Sequence, residues 1–291
     1  MDRVLRRWRA AAPAPGQARR VAAVVNAEGE ATRKILTDIR WELREQRKYL
    51  EAFRHVVARD VFAELRAFTE AQQLGLAATL ERVAADRISF ARFGDAELKL
   101  MLRPDTETGG QPWSAGLAGD LRELLTMHGH DRERLLLGFP HPYRNLQWTG
   151  VWLDLWPELR PLLDPDLVFG TTHVTRPLMF QRLGEQGTRL WRDIWADRDV
   201  CVVTGEKSRF VWEAGLFDGV RSHHTVLSTS TDAYADLPRL MKELADQDPD
   251  RLYLVALGPA APLVTAGLAR TGRWAIDVGA LPQNWAKAQK R

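Results

Sequence analysis

A single cysteine, Cys201, stands in the 291 residues. That excludes an intrachain disulfide framework and a cysteine-built zinc site. Its neighbours Val200, Val202 and Val203 make it read as a small core residue. No run reaches the roughly 18 apolar residues that a membrane span needs. The basic start is followed by no apolar region of the secretory kind, so a cytoplasmic location is the expectation. G-x-S-x-G is absent, which leaves acyl transfer from a serine elbow without support. Neither a Walker loop nor G-x-G-x-x-G occurs, which weighs against P-loop and nicotinamide chemistry. His128 with His130, and His223 with His224, lack the helical i, i+4 spacing of zinc enzymes. Structural roles are expected for these and for His141 and His173, which fall in loops.

The net charge of +3 does not describe the bulk of the chain. Residues 1–20 hold six arginines against one aspartate, more than the whole excess, so the remainder is slightly acidic. Specific nucleic-acid binding is therefore not expected. Residues 1–21, with Pro13 and Pro15, read as a basic flexible tail that can touch an anionic membrane surface. Residues 22–86 contain no proline and are rich in Ala, Glu, Arg and Leu, a helix-forming composition. Leu36, Ile39, Leu43, Leu50, Phe53 and Val57 alternate at three- and four-residue steps, with Gln46 in one slot. Val61, Leu65 and Phe68 continue after a slip. This stripe predicts a coiled coil or a helical hairpin, its seam covered by a homo-oligomer formed through 22–86, the preferred reading, or by packing on the C-terminal body.

From residue 87 the texture changes. Short β-rich runs occur at Ile88–Phe93, Leu135–Phe139, Leu167–Phe169, Val200–Thr204, His224–Leu227, Leu252–Leu257 and Trp274–Val278. Helical segments are expected at Asp95–Leu102, Ala115–Met127, Arg176–Leu183, Ala233–Asp246 and Pro262–Thr271. Near-continuous apolar strands alternating with helices predict an α/β domain over 87–291. Its sheet is Rossmann-like and mostly parallel, with helices on both faces. Trp113, Trp148 and Trp152 are core residues by default, with sugar stacking as the alternative.

Chemistry gathers where strands end. Asp95 and Glu97 follow the first strand through Gly94, where α/β sheets place ligands. Two carboxylates one residue apart can offer oxygens to a divalent cation bridging to phosphates; they can equally cap a helix. After Val200–Thr204 come Gly205, Glu206, Lys207, Ser208 and Arg209. The two cations can hold phosphate oxygens, and Glu206 can be a base, a ligand or a salt-bridge partner. Gly258 and Pro259 end another strand, and the amides of the helix that follows form an anion site. Arg176 precedes Pro177, and Asp277 closes the last strand, where it can accept from ribose hydroxyls or from loop amides.

The ordered set Arg92-Phe-Gly-Asp-Ala-Glu, Gln111, Thr175-Arg-Pro, Gly205-Glu-Lys-Ser-Arg, Leu257-Gly-Pro and Ala275-Ile-Asp-Val-Gly resembles the GT-D-fold glycosyltransferases over residues 87–285. The resemblance implies transfer of a hexose from a UDP-sugar to a hydroxyl of a glycan or glycoconjugate. It implies a divalent cation, Mn2+ or alternatively Mg2+, held by Asp95 and Glu97 as the D-x-E pair. Donor binding would fall to Arg92, Gly94, Asp95, Glu97, Gln111, Arg176, Gly205, Lys207, Arg209, Gly258 and Pro259. Glu206 is the first candidate for general base and Asp277 the second. Gly279-Ala-Leu-Pro-Gln-Asn-Trp departs from the family's usual Gly-His continuation, as does the segment after Arg209. The alternative reading is a non-catalytic oligomeric scaffold carrying a degenerate nucleotide-binding domain.

Overall fold

The structure is a computed structural model that describes residues 15–108, 110–126, 133–143 and 145–290; residues 1–14, His128 and His130 lie outside these. The chain divides into two compact units, Met1–Arg59 and Asp60–Arg291.

The first unit is built on α1 (Pro15–Val57), 43 residues long. Pro15 begins it, a position where proline's missing amide costs nothing. Residues 15–21, expected in a flexible tail, are therefore helical. The helix stops at a turn at Ala58, where the apolar stripe slips. The next stretch, α2 (Arg59–Gln72), buries Leu65 and Phe68, and α3 (Leu76–Ala85) buries Leu80 and Val83. Both helices contribute to the core of the second unit, although composition grouped them with α1.

The remaining elements are β1 (Ser89–Arg92), α4 (Asp95–Leu102), β2 (Glu107–Thr108), β3 (Gln111–Pro112), α5 (Ala115–Thr126), β4 (Leu135–Phe139), α6 (Leu146–Leu159), β5 (Gly170–Thr171), α7 (Pro177–Trp195), β6 (Asp199–Gly205), β7 (Ser222–Ser228), α8 (Leu237–Ala245), β8 (Leu252–Ala256), α9 (Ala261–Arg270), β9 (Trp274–Asp277) and α10 (Leu281–Gln289). Seven strands form a parallel sheet in the order β5-β4-β1-β9-β8-β6-β7, and β2 with β3 makes a separate antiparallel pair.

Alternate residues of the strands feed opposite faces. Phe90, Leu136, Val202, Leu254 and Ile276 join α3, α7 and α10 on one side. Ala91, Leu137, Val203, Val255 and Ala275 face α4, α5, α6, α8 and α9 on the other. This double burial explains why the strands read as unbroken apolar runs. Trp148 and Trp152 are buried in α6, so neither is a sugar platform, and Trp113 packs partly buried beside them. The chain moves from β1 out to β5, crosses to β6 and β7, then returns through β8 to β9 beside β1. The reversal falls at β1 and β9, and sheets of this kind bind ligands beyond the carboxyl ends of strands at such a point. Among the described residues, no helix is long and apolar enough to cross a membrane.

Candidate active site

Arg92, the last residue of β1, is fixed by three hydrogen bonds. Its Nη2 donates to Asp277 Oδ1 at 2.6 Å, its Nε to the Asp277 carbonyl at 2.8 Å, and its Nη1 to Thr175 Oγ1 at 2.7 Å. The ion pair is buried, with 12% and 3% of the two side chains exposed. Burial pushes the Asp277 carboxyl up from its ordinary range, opposed by Arg92 and then Arg176. The Thr175 carbonyl in turn accepts from Asn284 Nδ2 of α10 at 2.8 Å. Gly279 lies directly over the guanidinium: its φ is +47°, and a Cβ there would collide with Arg92 Nη2. The sheet's centre, the turn after β5 and the C-terminal helix are thus joined at one arginine.

The carboxylate pair sits on the adjoining turn. Glu97 Oε2 accepts the Gly94 amide at 2.7 Å, the reach-back bond of a helix N-terminus. Burial raises the Glu97 carboxyl above its ordinary value, and the negative charge of Asp277 adds to the effect; Arg92 and the Gly94 amide oppose it. Asp95 is half-buried, and its Oδ2 lies 3.9 Å from Lys99 Nζ, an ion pair longer than a hydrogen bond. The capping role is therefore present, and it occupies one oxygen of Glu97. Among the described residues, no group of three or more His, Cys, Asp or Glu side chains could hold a metal ion. Asp95 and Glu97 suit a divalent cation that takes its other ligands from diphosphate oxygens and water, the habit of Mg2+ in phosphate sites.

A second cluster lies at the ends of β6, β7 and β8. Gln111, Gly205, Ser208, Thr229, Gly258 and Pro259 are among the residues lining a cleft of about 460 Å³, counted to its open mouth. Gln111 is buried and donates from Nε2 to Asp232 Oδ1 at 2.7 Å, while its Oε1 accepts the Tyr234 amide at 3.1 Å. It ties the β2–β3 hairpin to the loop after β7. Gly258 has φ +55° and open space around its Cα, and a short 3-10 turn carries it into α9. The Thr229-Ser-Thr-Asp run is part of this cleft, and sequence reasoning missed it; four consecutive hydroxyl or carboxyl side chains after a strand were the available signal. The roles of Thr175 and Asn284 were missed too: Thr175 stands in the Thr175-Arg-Pro block, of which only Arg176 was a candidate, and Asn284 in the divergent stretch after Gly279.

Glu206, Lys207 and Arg209 are exposed at the end of β6. Glu206 lines a separate concavity with Phe210, Trp212 and His223. Its amide donates to the Ser228 carbonyl at 2.9 Å, which fixes the backbone and leaves the carboxylate at the surface. Arg176 caps α7, with Pro177 at the first helical position, and its charge reaches Asp277. The structure thus brings Arg92, Gly94, Glu97 and Asp277 together, and gathers Gln111, Gly205, Gly258 and Pro259 around the cleft. The pairing Val255–Asp277 places both groups on the same carboxyl edge of the sheet. Four of the histidines have partners: His173 Nε2 accepts the His141 amide, the Tyr143 amide donates to His141 Nδ1, His224 meets Gln247, and His223 stacks on Trp212 at 3.8 Å.

A family model described as "Glycosyltransferase GT-D fold" matches residues 90–289. A probable glycosyl transferase, Gly, of Streptococcus gordonii is 26% identical over 217 residues, 71% of this chain and 31% of that protein. Glycosyltransferase GlyD of Streptococcus pneumoniae serotype 4 is 26% identical over 219 residues, 72% of this chain and 26% of that protein. This chain therefore spans about a third or less of the length of these curated relatives. Among solved structures, a glycosyltransferase (DUF1792) from Streptococcus sanguinis superposes with a TM-score of 0.68 at 24% identity, covering 75% of this chain and 85% of that one. A structure of domain of unknown function 1792, described as a distinct glycosyltransferase fold, gives a TM-score of 0.68 at 24% identity over 79% of this chain and 86% of that one. These two likenesses show the fold.

Proposed function

This chain belongs to the glycosyltransferase GT-D fold family, and on that premise we propose that it transfers a hexose from a UDP-sugar to a hydroxyl of a glycan or glycoconjugate in the cytoplasm. The observation that carries the reading is the meeting of the D-x-E turn, Arg92 and Asp277 at the point where strand order reverses. The glycine turn of the β8 end lies on the same edge.

In this reading the donor diphosphate lies along the strand ends. Asp95 and Glu97 hold a divalent cation, Mn2+ or Mg2+, which when bound neutralises charge building on the departing diphosphate. Arg176 supplies fixed positive charge in a partly dry setting, where it acts more strongly than in water. Lys207 and Arg209, both exposed, are placed to receive phosphate oxygens as the donor enters. Arg92 is a positioning residue, since three of its five N–H donors are engaged by Asp277 and Thr175.

Two carboxylates were candidates for the base that takes the acceptor's proton. Glu206 is exposed beside an open concavity that an acceptor can enter. Asp277 is buried and committed to Arg92. We therefore assign the proton to Glu206 and give Asp277 the task of holding Arg92. A donor screen with released UDP as the readout, run with added manganese and then with chelator, tests the proposal. Turnover with at least one UDP-hexose that chelation abolishes supports it; no UDP release from any donor with metal present overturns it.

A further inference from the structure

The helix α1 carries an exposed apolar seam. Val25, Leu36, Ile39, Leu43, Leu50 and Phe53 are between 46% and 66% exposed. Ile35, Tyr49 and Val56 widen the stripe and are exposed as well. Forty-three residues make a rod of roughly 65 Å at 1.5 Å per residue. An exposed apolar stripe from Val25 to Phe53, about 42 Å of that rod, marks an interaction surface. Its steps of three and four define a heptad with Gly29, Leu36, Leu43 and Leu50 at position a, and Val25, Thr32, Ile39, Gln46 and Phe53 at position d.

The charges beside the seam identify the occupant. Position e holds Arg33, Arg40 and Arg47; position g holds Glu28 and Glu42, alternating with the apolar Ile35 and Tyr49. In a parallel, in-register coil each g residue faces the e residue five places on in the neighbouring chain. Glu28 then meets Arg33 and Glu42 meets Arg47, reciprocally between chains. In an antiparallel pair the e positions face each other, so arginine confronts arginine along the seam. Gln46 adds a register signal, because an amide in the seam is satisfied best by its own counterpart.

We propose that α1 binds a second copy of this chain as a parallel, in-register coiled coil, pairing Glu28 with Arg33 and Glu42 with Arg47 across the interface. The present partners of these charges do not oppose this. Arg47 bonds Glu51 at 3.1 Å in an exposed pair within its own helix, an arrangement of small value that a neighbouring chain can replace. The surface is independent of the chemistry assigned to the strand ends.

Sedimentation of the full chain should give a mass of two or more times the 33.0 kDa chain. The triple substitution Leu36→Glu, Leu43→Glu, Leu50→Glu should reduce it to one chain while the thermal transition of the sheet unit is retained. Glu42→Arg should weaken association, and adding Arg47→Glu should restore it. For direction, Val25→Cys and Phe53→Cys should each form an interchain disulfide in separate preparations under mild oxidation. Wild type, whose Cys201 is buried, should not. Residues 25 and 53 are about 42 Å apart along the rod, so neither variant links to itself in a centred antiparallel pair. A single-chain mass for wild type overturns the proposal. So do a mass unchanged by the triple substitution, a charge swap that fails to restore association, and cross-linking only when the two cysteine variants are mixed.

Discussion

Arg92 and Asp277 stand 185 residues apart in sequence and share a buried ion pair at 2.6 Å, closed by a second bond to the Asp277 carbonyl. Both guanidinium edges are used, so the residue behaves as a rivet between β1 and β9. The D-x-E turn begins two residues after it, and its position depends on that rivet.

Removing one partner leaves a buried charge without compensation, which costs about 3–5 kcal/mol in comparable cases. Asp277→Ala should therefore lower stability by that order. The double replacement Arg92→Met, Asp277→Leu should lose much less. Urea unfolding of the full chain checks both, and equal losses would show that the pair is not what stabilises the joint.

Gly279 and Gly258 both have positive φ, +47° and +55°, yet only Gly279 is crowded, by the Arg92 guanidinium. A β-carbon at either position carries backbone strain of order 1 kcal/mol or more. Gly279→Ala adds displacement of the rivet and should be the more destabilising of the two by thermal melting. Gly258→Ala should instead act on nucleotide affinity, because its open side belongs to the cleft.

The outline of the sheet was legible because its inner strands are short, mostly apolar runs bounded by turn residues; the edge strand β7 is largely polar, and β5 forms at Gly170–Thr171 rather than at the apolar run Leu167–Phe169. Leu135–Phe139 and Asp95–Leu102 have the expected bounds. The first helical stretch of α7 does end where expected, at Leu183, because Gly184 takes non-helical angles (φ +51°, ψ −128°); the second stretch, which carries the chain on to Trp195, was not foreseen. The helix α6 was not among the expected segments, although Trp148, Trp152 and Trp156 follow a four-residue step that makes a core stripe. Within the site, residues next to a glycine or proline turn were found, and Thr175, Asn284 and the Thr229–Asp232 loop were not. Their roles come from long-range contacts: Thr175 touches Arg92 across 83 residues, and Asn284 touches Thr175 across 109.

Glu206→Gln should leave stability unchanged within about 0.5 kcal/mol, as for surface substitutions away from special features. Transfer should slow by roughly 10²–10⁴, the usual contribution of a general base. Steady-state kinetics with UDP release, paired with UDP titration, checks this. Normal turnover in the variant removes Glu206 from the role.

Burial raises the Glu97 carboxyl above 4.5, so the folded chain holds this proton more tightly than the unfolded one. Its stabilising contribution is complete below about pH 4.5 and is lost as pH rises through the folded value. Glu97→Gln keeps a capping oxygen for the Gly94 amide and removes the titration. In chelator-treated protein, the melting temperature of wild type relative to this variant should fall as pH rises toward neutrality. A difference that rises with pH contradicts the assigned environment.

The central claim is that the Asp95/Glu97 turn binds a donor diphosphate through a cation. Titration of UDP into the full chain, with and without manganese, tests it most directly when repeated on Asp95→Asn, Glu97→Gln. Manganese should tighten UDP binding by about tenfold or more, at least about 1.4 kcal/mol, in wild type. The double variant should lose that increment and keep the metal-free affinity. Equal UDP affinity in wild type and variant with manganese present would contradict it.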